Sequence, residues 1–254
     1  MIPSAAVTAA RTRFRALLSS IVLVASLSPA RTQAQAARTD APAGLEPIQY
    51  TLRVVDADKH IAGIEARVPT GGRATIELMM PVWTPGYYVI EDYAGRVRDL
   101  TATGPNGTAL GVSKPAANRW TVETNGAPTV TLTYGLTAQG RSVTSNWVDA
   151  DLGVINGGAA FITLAERERR PHDIRLEMPP TWKQSASGLE PAPGGQPNSY
   201  RAADFDTLVD SPIVAGSFEV REFVVDRSTH VIVDAGQHEQ WDSGKSAKQI
   251  EKPG

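Results

Sequence analysis

The sequence of 254 residues contains no cysteine, which excludes disulfide bonds, a thiol nucleophile and every cysteine-ligated zinc or iron–sulfur site. It also lacks an excess of charge of one sign, because 25 Lys and Arg residues stand against 27 Asp and Glu residues and leave a net charge of −2. Without a basic patch, binding to nucleic acid is not predicted. Histidine is scarce, with four residues in the whole chain.

The histidines do not complete the zinc motif of thermolysin-like peptidases. That motif needs two histidines one helical turn apart, so that both rings face one metal ion, with a glutamate between them as the base. His238 and Glu239 supply its first half, but Asp242 stands where the second histidine should be. A solvated linker is the favoured interpretation of this stretch, and metal binding there is the alternative.

Other catalytic signatures are absent or have ordinary structural explanations. The sequence has no Gly-x-Ser-x-Gly elbow and no glycine-rich phosphate loop. His60, His172 and His230 are interpreted as structural or solvated residues. The carboxylate pairs that begin at Asp149 and Asp204 are interpreted as loop caps, with a glycosidase pair as the alternative.

The first 36 residues have the features of an export signal. They contain no acidic residue, and Arg11, Arg13 and Arg15 precede a mostly apolar run at residues 16–27. This run is too short to span a bilayer of about 30 Å, so no membrane span is predicted after cleavage. Residues 34–36 form the small-x-small cleavage pattern, and we expect a periplasmic or extracellular protein. A disordered or amphipathic N-terminus is the alternative.

From residue 48 onwards, apolar and polar residues alternate with the period of two that is typical of half-buried strands. The clearest case is Val130, Leu132, Tyr134 and Leu136, which alternate with threonines. About ten short segments of this kind, separated by Gly and Pro turns, predict an all-β fold, either an antiparallel β-sandwich or a curved sheet. A short helix is predicted to start near the C-terminus.

Several separate motifs occur in an order that is found in one known family. They are Trp83-Thr84-Pro85-Gly86-Tyr87 with Asp92-Tyr93-Ala94, then Asp149 with Ile155-Asn156-Gly157, then Pro179 to Leu189, and finally Tyr200 to Gly216. Together they resemble the N-terminal β-domain of the glycyl aminopeptidase family of gluzincin metallopeptidases. Members of this family also carry a thermolysin-like zinc domain and a PDZ domain.

The resemblance implies four parts of the chain: a signal peptide at 1–36, a flexible lead-in at 37–47, the β-domain at 48–236, and the start of a linker helix at 237–254. In the family, the zinc motif follows the β-domain and lies in a catalytic domain that is missing from this sequence. No catalytic residue, metal ligand or cofactor is therefore expected in this chain. Zinc is expected only in a peptidase domain encoded downstream, beside which a truncated, non-catalytic β-domain would pack.

Aromatic residues in the first motif are predicted to be structural. Trp83 and Tyr87 flank the tight turn at Pro85 and Gly86, and we expect both rings to be core anchors. Tyr88 is also expected to pack in the core. Trp182 in the third motif is expected to pack in the core as well.

Two further sites follow from the other motifs. Asn156, Gly157 and Gly158 form a loop whose glycines allow close approach of another backbone. The resemblance implies that this loop faces the cleft beside the zinc domain. The tripeptide Asp210-Ser211-Pro212 is predicted to end one element and to begin the next strand, because the residue before proline avoids the helical region.

A different class of function is a free-standing periplasmic β-sandwich that binds a peptide or a glycan. Such a module would present an exposed aromatic face. The exposure of Trp83, Trp120, Trp147 and Trp182 therefore separates the two hypotheses. A third hypothesis, an independent hydrolase, is opposed by the missing second histidine of the zinc motif.

We predict export with cleavage after Ala36, because the arginine-rich start, the apolar run and the small-x-small pattern occur in the order that signal peptidases require. N-terminal sequencing of protein from the cell envelope is expected to begin at Ala37. A mature chain that still begins at Met1 or Ile2 would contradict the prediction.

Overall fold

The computed structural model describes residues 44–142, 144–166, 169–225, 227–234 and 242–250. The predicted signal peptide, most of the predicted lead-in, and the pair His238 and Glu239 lie outside the described residues. In chain order the strands are β1 (Ile48–Asp56), β2 (Ile61–Pro69), β3 (Thr75–Met79), β4 (Val97–Thr103), β5 (Val112–Ala116), β6 (Arg119–Glu123), β7 (Thr129–Thr137), β8 (Trp147–Val148), β9 (Leu152–Ile155), β10 (Thr163–Leu164), β11 (His172–Glu177), β12 (Gln184–Ser187), β13 (Glu190–Pro191), β14 (Ser199–Ala202), β15 (Ile213–Gly216), β16 (Glu219–Val225) and β17 (Ser228–Asp234). The α-helices are α1 (Gly157–Ala160), α2 (Phe205–Val209) and α3 (Ser243–Ile250), and a 3₁₀ helix (Ala94–Arg96) precedes β4.

The strands form three larger sheets and one separate hairpin. The large sheet has seven strands in the order β13-β14-β11-β1-β2-β7-β4, the second sheet is β10-β3-β6-β5, and the third is β12-β15-β9-β8. The predicted all-β fold is confirmed. Neighbouring strands are antiparallel except β1 and β11, which run parallel with Ile48 opposite His172. A parallel pair needs a long crossover, and β11 is reached only after the chain has built β2 to β10.

The predicted alternation sets which face of each strand is buried. Along β7, Val130, Leu132, Tyr134 and Leu136 are buried, while the threonines between them are half-buried or exposed. The inward side chains of the large sheet join those of the second and third sheets in a single hydrophobic core. The outer face of the large sheet is polar, as expected for a sheet with one face in water.

The helices are short, and α2 begins at a capping residue. Asp204 caps α2, because its carboxylate accepts hydrogen bonds from the backbone N–H (2.8 Å) and the hydroxyl (2.7 Å) of Thr207. At the other end, Asp210-Ser211-Pro212 terminates α2 and leads directly into β15, as predicted. The predicted C-terminal helix start is confirmed by α3. Within the described stretches, no helix is long and apolar enough to cross a membrane.

A stretch of non-strand backbone crosses the core between β9 and β10. This inner segment, residues 156–162, is buried throughout and contains α1. Tyr134 of the large sheet donates its hydroxyl to the carbonyl of Ala160 (2.9 Å) and accepts the backbone N–H of Ile162 (3.2 Å). Tyr50 donates to the carbonyl of Ile162 (2.9 Å). Burial raises the pKa of both phenols, so both remain protonated donors at neutral pH.

Asn146 provides the third support of the inner segment. Its amide nitrogen donates to the carbonyl of Ala159 (2.8 Å), and its amide oxygen accepts the backbone N–H of Asn156 (2.7 Å). Buried backbone groups must find partners, and this segment finds several of them in side chains. The inner segment is therefore fixed to the large sheet by directional bonds as well as by packing.

His172 lies in the same core at the start of β11. Its ring stacks on Tyr50 with centroids 5.9 Å apart, and its Nε2 lies 3.0 Å from the hydroxyl of Thr163. Burial lowers the pKa of His172 from 6.5 to about 4, because the charged imidazolium is disfavoured in the core. The interpretation of His172 as a structural histidine agrees with this environment.

We expect His172 to make the protein less stable in acid. Between pH 6.5 and 4 the unfolded chain binds a proton at this histidine and the folded chain does not, so stability falls as the pH falls. Protonation of His172 should lower the free energy of unfolding by about 3 kcal/mol in total. Urea unfolding of the native chain and of His172→Gln at pH 7, 5.5 and 4 measures it, since the variant should lack this part of the pH dependence. Identical pH dependence in both proteins would contradict the assignment.

Candidate functional site

The loop that was predicted to face a cleft lies inside the β-domain. Asn156, Gly157 and Gly158 are all buried, and the two glycines form the first turn of α1. A Cβ on Gly157 would collide with the backbone carbonyl of Leu208 in α2, so the predicted close backbone approach is confirmed. The expectation of a cleft-facing loop is corrected, because α2 and the segment around Thr84 cover these residues.

The exposed feature next to this buried loop is the aromatic loop, which we define as residues 82–91. It is built on a turn in which the N–H of Tyr87 donates to the carbonyl of Thr84 (3.2 Å). Pro85 at the second position and Gly86 at the third, with a φ of 79°, are the residues that a type II turn requires. The N–H of Glu91 closes the loop by donating to the carbonyl of Val82 (2.7 Å).

Only the base of the aromatic loop is buried. Thr84 is buried, and a 3.5 Å hydrogen bond joins its hydroxyl to that of Tyr93, which is fully buried. Gly158 leaves room for Thr84, because a Cβ at that glycine would lie 2.9 Å from the threonine methyl carbon. Arg96 ion-pairs with Glu91 (3.6 Å), and its guanidinium lies 5.7 Å from the Tyr93 ring. These contacts fix the loop where it leaves the core.

The rest of the aromatic loop points into solvent. Five of the ten exposed large hydrophobic residues among the described ones lie here: Trp83 (47% exposed), Tyr87 (39%), Tyr88 (87%), Val89 (50%) and Ile90 (75%). The rings of Trp83 and Tyr88 stack with centroids 6.4 Å apart and planes at 25°. The prediction that Trp83, Tyr87 and Tyr88 pack in the core is wrong, because the turn buries Thr84 and leaves all three rings exposed.

The other three tryptophans in the described part of the chain do not share an exposed face with Trp83. Trp120 and Trp182 are buried, as was predicted for Trp182. Trp147 is half-buried between the guanidinium of Arg141, 3.9 Å from its ring centroid, and the ring of His60, 4.3 Å away. The aromatic face that a peptide- or glycan-binding sandwich would need is not formed by these four residues.

The candidate carboxylates have structural partners. Asp149 accepts hydrogen bonds from the indole N–H of Trp147 (2.8 Å) and from the backbone N–H groups of Asp151 and Leu152 (2.8 Å each). Burial opposes ionisation of Asp204, but bonds from Thr207 outweigh this effect and lower its pKa. In the described part of the chain, no group of three or more His, Cys, Asp or Glu side chains could hold a metal ion.

Trp182 is buried and Trp83 is half exposed, so replacing each by alanine should have different effects on the free energy of unfolding. Trp182→Ala should lower the free energy of unfolding by about 3–5 kcal/mol, because the ring is buried against Gly153. Trp83→Ala should cost less than about 1 kcal/mol, because the ring is half in solvent. Urea unfolding of both variants checks this. A loss at Trp83 as large as that at Trp182 would contradict the exposed position.

Comparison with known proteins identifies the fold. Residues 49–217 match the Peptidase M61 N-terminal domain family. An aminopeptidase N family protein from Idiomarina loihiensis is 28% identical, with a TM-score of 0.72, over 80% of this chain and 35% of that chain. An M1 zinc metallopeptidase from Deinococcus radiodurans is 13% identical, with a TM-score of 0.44, over 84% of this chain and 53% of that chain. A search of curated proteins gave no significant match. The chain belongs to the Peptidase M61 N-terminal domain family.

Proposed function

We propose that residues 48–236 are the non-catalytic N-terminal β-domain of an exported, glycyl aminopeptidase-like metallopeptidase. In this proposal, a separate domain of the same protein binds the zinc ion and carries out peptide hydrolysis. The observation that carries the proposal is the family match over residues 49–217, which ends without reaching a zinc motif. The chain spans 35% of the length of the Idiomarina loihiensis protein, which leaves most of that protein for other domains.

The hairpin of β16 and β17 supports the proposal. It lies beyond the matched residues and pairs with no other strand in the described ranges. The helix α3 packs on one face, where Phe223 is buried. The opposite face carries Val220, Val224 and Val231, which are 39–61% exposed. A two-stranded sheet with an open apolar face is marginally stable in water, so a further domain that covers this face would stabilise it.

The export and the cellular location in this proposal rest on the sequence of residues 1–36. The alternative of a free-standing binding module has less support, because the four tryptophans among the described residues are divided between the core and separate surface positions. The exposed residues of the aromatic loop are compatible with either role.

The proposal predicts that the 254-residue chain has no aminopeptidase activity and no stoichiometric zinc. A catalytic zinc site keeps three protein ligands, and the four histidines do not include a pair one helical turn apart. Metal analysis after dialysis and hydrolysis of an N-terminal glycyl anilide test the two statements. The positive control is the same chain extended by the zinc-peptidase domain that we propose is encoded downstream. This longer protein should bind zinc and hydrolyse the substrate.

His238→Ala in the 254-residue chain is the control for the half motif at His238 and Glu239. It should change neither zinc content nor activity. About one zinc per chain, together with turnover that is abolished by His238→Ala, would show that the chain is itself the enzyme.

A further inference from the structure

A cavity of about 350 Å³ lies on the outer face of the large sheet. Its floor is the outward-facing side of β1 and of the two neighbouring strands, β2 and β11. The loop of residues 192–198, which joins β13 to β14, forms one wall. The volume is within the range of about 300–1,000 Å³ that is typical of small-molecule sites. We call this space the outer cavity.

The loop that forms the wall is fixed at its base. The N–H of Ala192 donates to the carbonyl of Ser199 (3.0 Å). The carbonyl of Asn198 accepts the N–H of Leu176 in β11 (3.0 Å), and its side-chain oxygen accepts the hydroxyl of Ser185 (2.8 Å). The wall of the outer cavity is therefore preformed, and a ligand that binds there orders little additional structure.

The acidic side chains at the outer cavity have cationic partners. Asp173 accepts two hydrogen bonds from the guanidinium of Arg201 (2.6 and 2.7 Å), so both of its carboxylate oxygens are used. Glu65 lies 3.8 Å from Arg53, which also contacts Glu177 (3.5 Å). The charge of Asp173 is thus neutralised, and that of Glu65 is partly neutralised.

Two arginines at the outer cavity have no such partner. Arg67 of β2 and Arg175 of β11 are exposed, and neither side chain forms an ion pair or a hydrogen bond with another described residue. They lie on opposite sides of β1, where Arg67 is opposite Gln49 and Arg175 is opposite Thr51. Two strand spacings and a two-residue offset separate their Cα atoms by about 12 Å. The outer cavity is therefore lined by a cationic group on each side.

The lining suits a short hydrocarbon chain with an anionic group at each end. Arginine is the side chain best shaped for a bidentate contact with a carboxylate, and each guanidinium can hold one. Two separate guanidiniums match two separate carboxylates better than they match one compact anion. Ala192 and Pro193 give the wall an apolar surface for the intervening methylene groups, while Gln49 and Thr51 add hydrogen-bond donors.

We propose that the outer cavity binds a small dicarboxylate, with Arg67 and Arg175 each holding one carboxylate. The aromatic loop does not contribute to this site, and the proposal does not depend on the proposed function. Because both contacts join charged groups near the surface, added salt should weaken binding.

Isothermal titration calorimetry of the 254-residue chain with glutarate tests the proposal, and butyrate is the matched monocarboxylate. We expect one glutarate per chain, bound at least about tenfold more tightly than butyrate, because butyrate lacks the second charged contact. Raising the NaCl concentration from about 0.05 M to about 0.5 M should weaken glutarate binding several-fold.

Substitutions identify the contacts. Arg67→Gln and Arg175→Gln should each weaken glutarate binding at least about tenfold and abolish the preference over butyrate. Neither should change the melting temperature, because both side chains are exposed. Arg98→Gln is the matched control and should leave binding unchanged, because Arg98 is exposed on the same face of the large sheet but does not line the outer cavity.

Three results would overturn the dicarboxylate site. The first is a titration with no saturable heat up to about 10 mM glutarate. The second is an equal loss of binding in Arg98→Gln, which would show general attraction to the charged surface. The third is inorganic phosphate that binds as tightly as glutarate, which would assign the outer cavity to a single compact anion.

Discussion

Hydrogen bonds to the buried backbone of the inner segment are the constraint on which the rest of the structure depends. Residues 156–162 cross the core outside any strand, so most of their N–H and C=O groups need partners from beyond the sheet ladders. Tyr50 and Tyr134 of the large sheet bond to these backbone groups through their hydroxyls. Asn146, the residue just before β8, bonds to them through its side-chain amide. Because these bonds are directional, they fix the position of the inner segment relative to the large sheet and to the residues that precede β8.

The position of the inner segment determines what reaches the surface. In α1, Gly158 packs against Thr84, and Gly157 packs against α2. These contacts hold the base of the aromatic loop in place. The loop therefore holds Trp83 and Tyr88 in solvent as a rigid apolar surface.

Most of the fold could be predicted from the sequence because the alternation of apolar and polar residues records which face of a strand is buried. The errors concern residues whose environment depends on distant segments. Trp83 was assigned to the core by residue type, yet the turn beside it decides which way its ring points. The buried position of Asn156 depends on Asn146 and on two tyrosines in other strands.

The role of the inner segment is tested most directly by the free energy of unfolding of Tyr134→Phe. The substitution keeps the buried ring and removes only the hydroxyl, which leaves the carbonyl of Ala160 and the N–H of Ile162 without that partner. We expect a loss of about 1–3 kcal/mol in urea unfolding at pH 7. An unchanged free energy of unfolding would show that packing alone holds the inner segment, and would contradict the dependence described above.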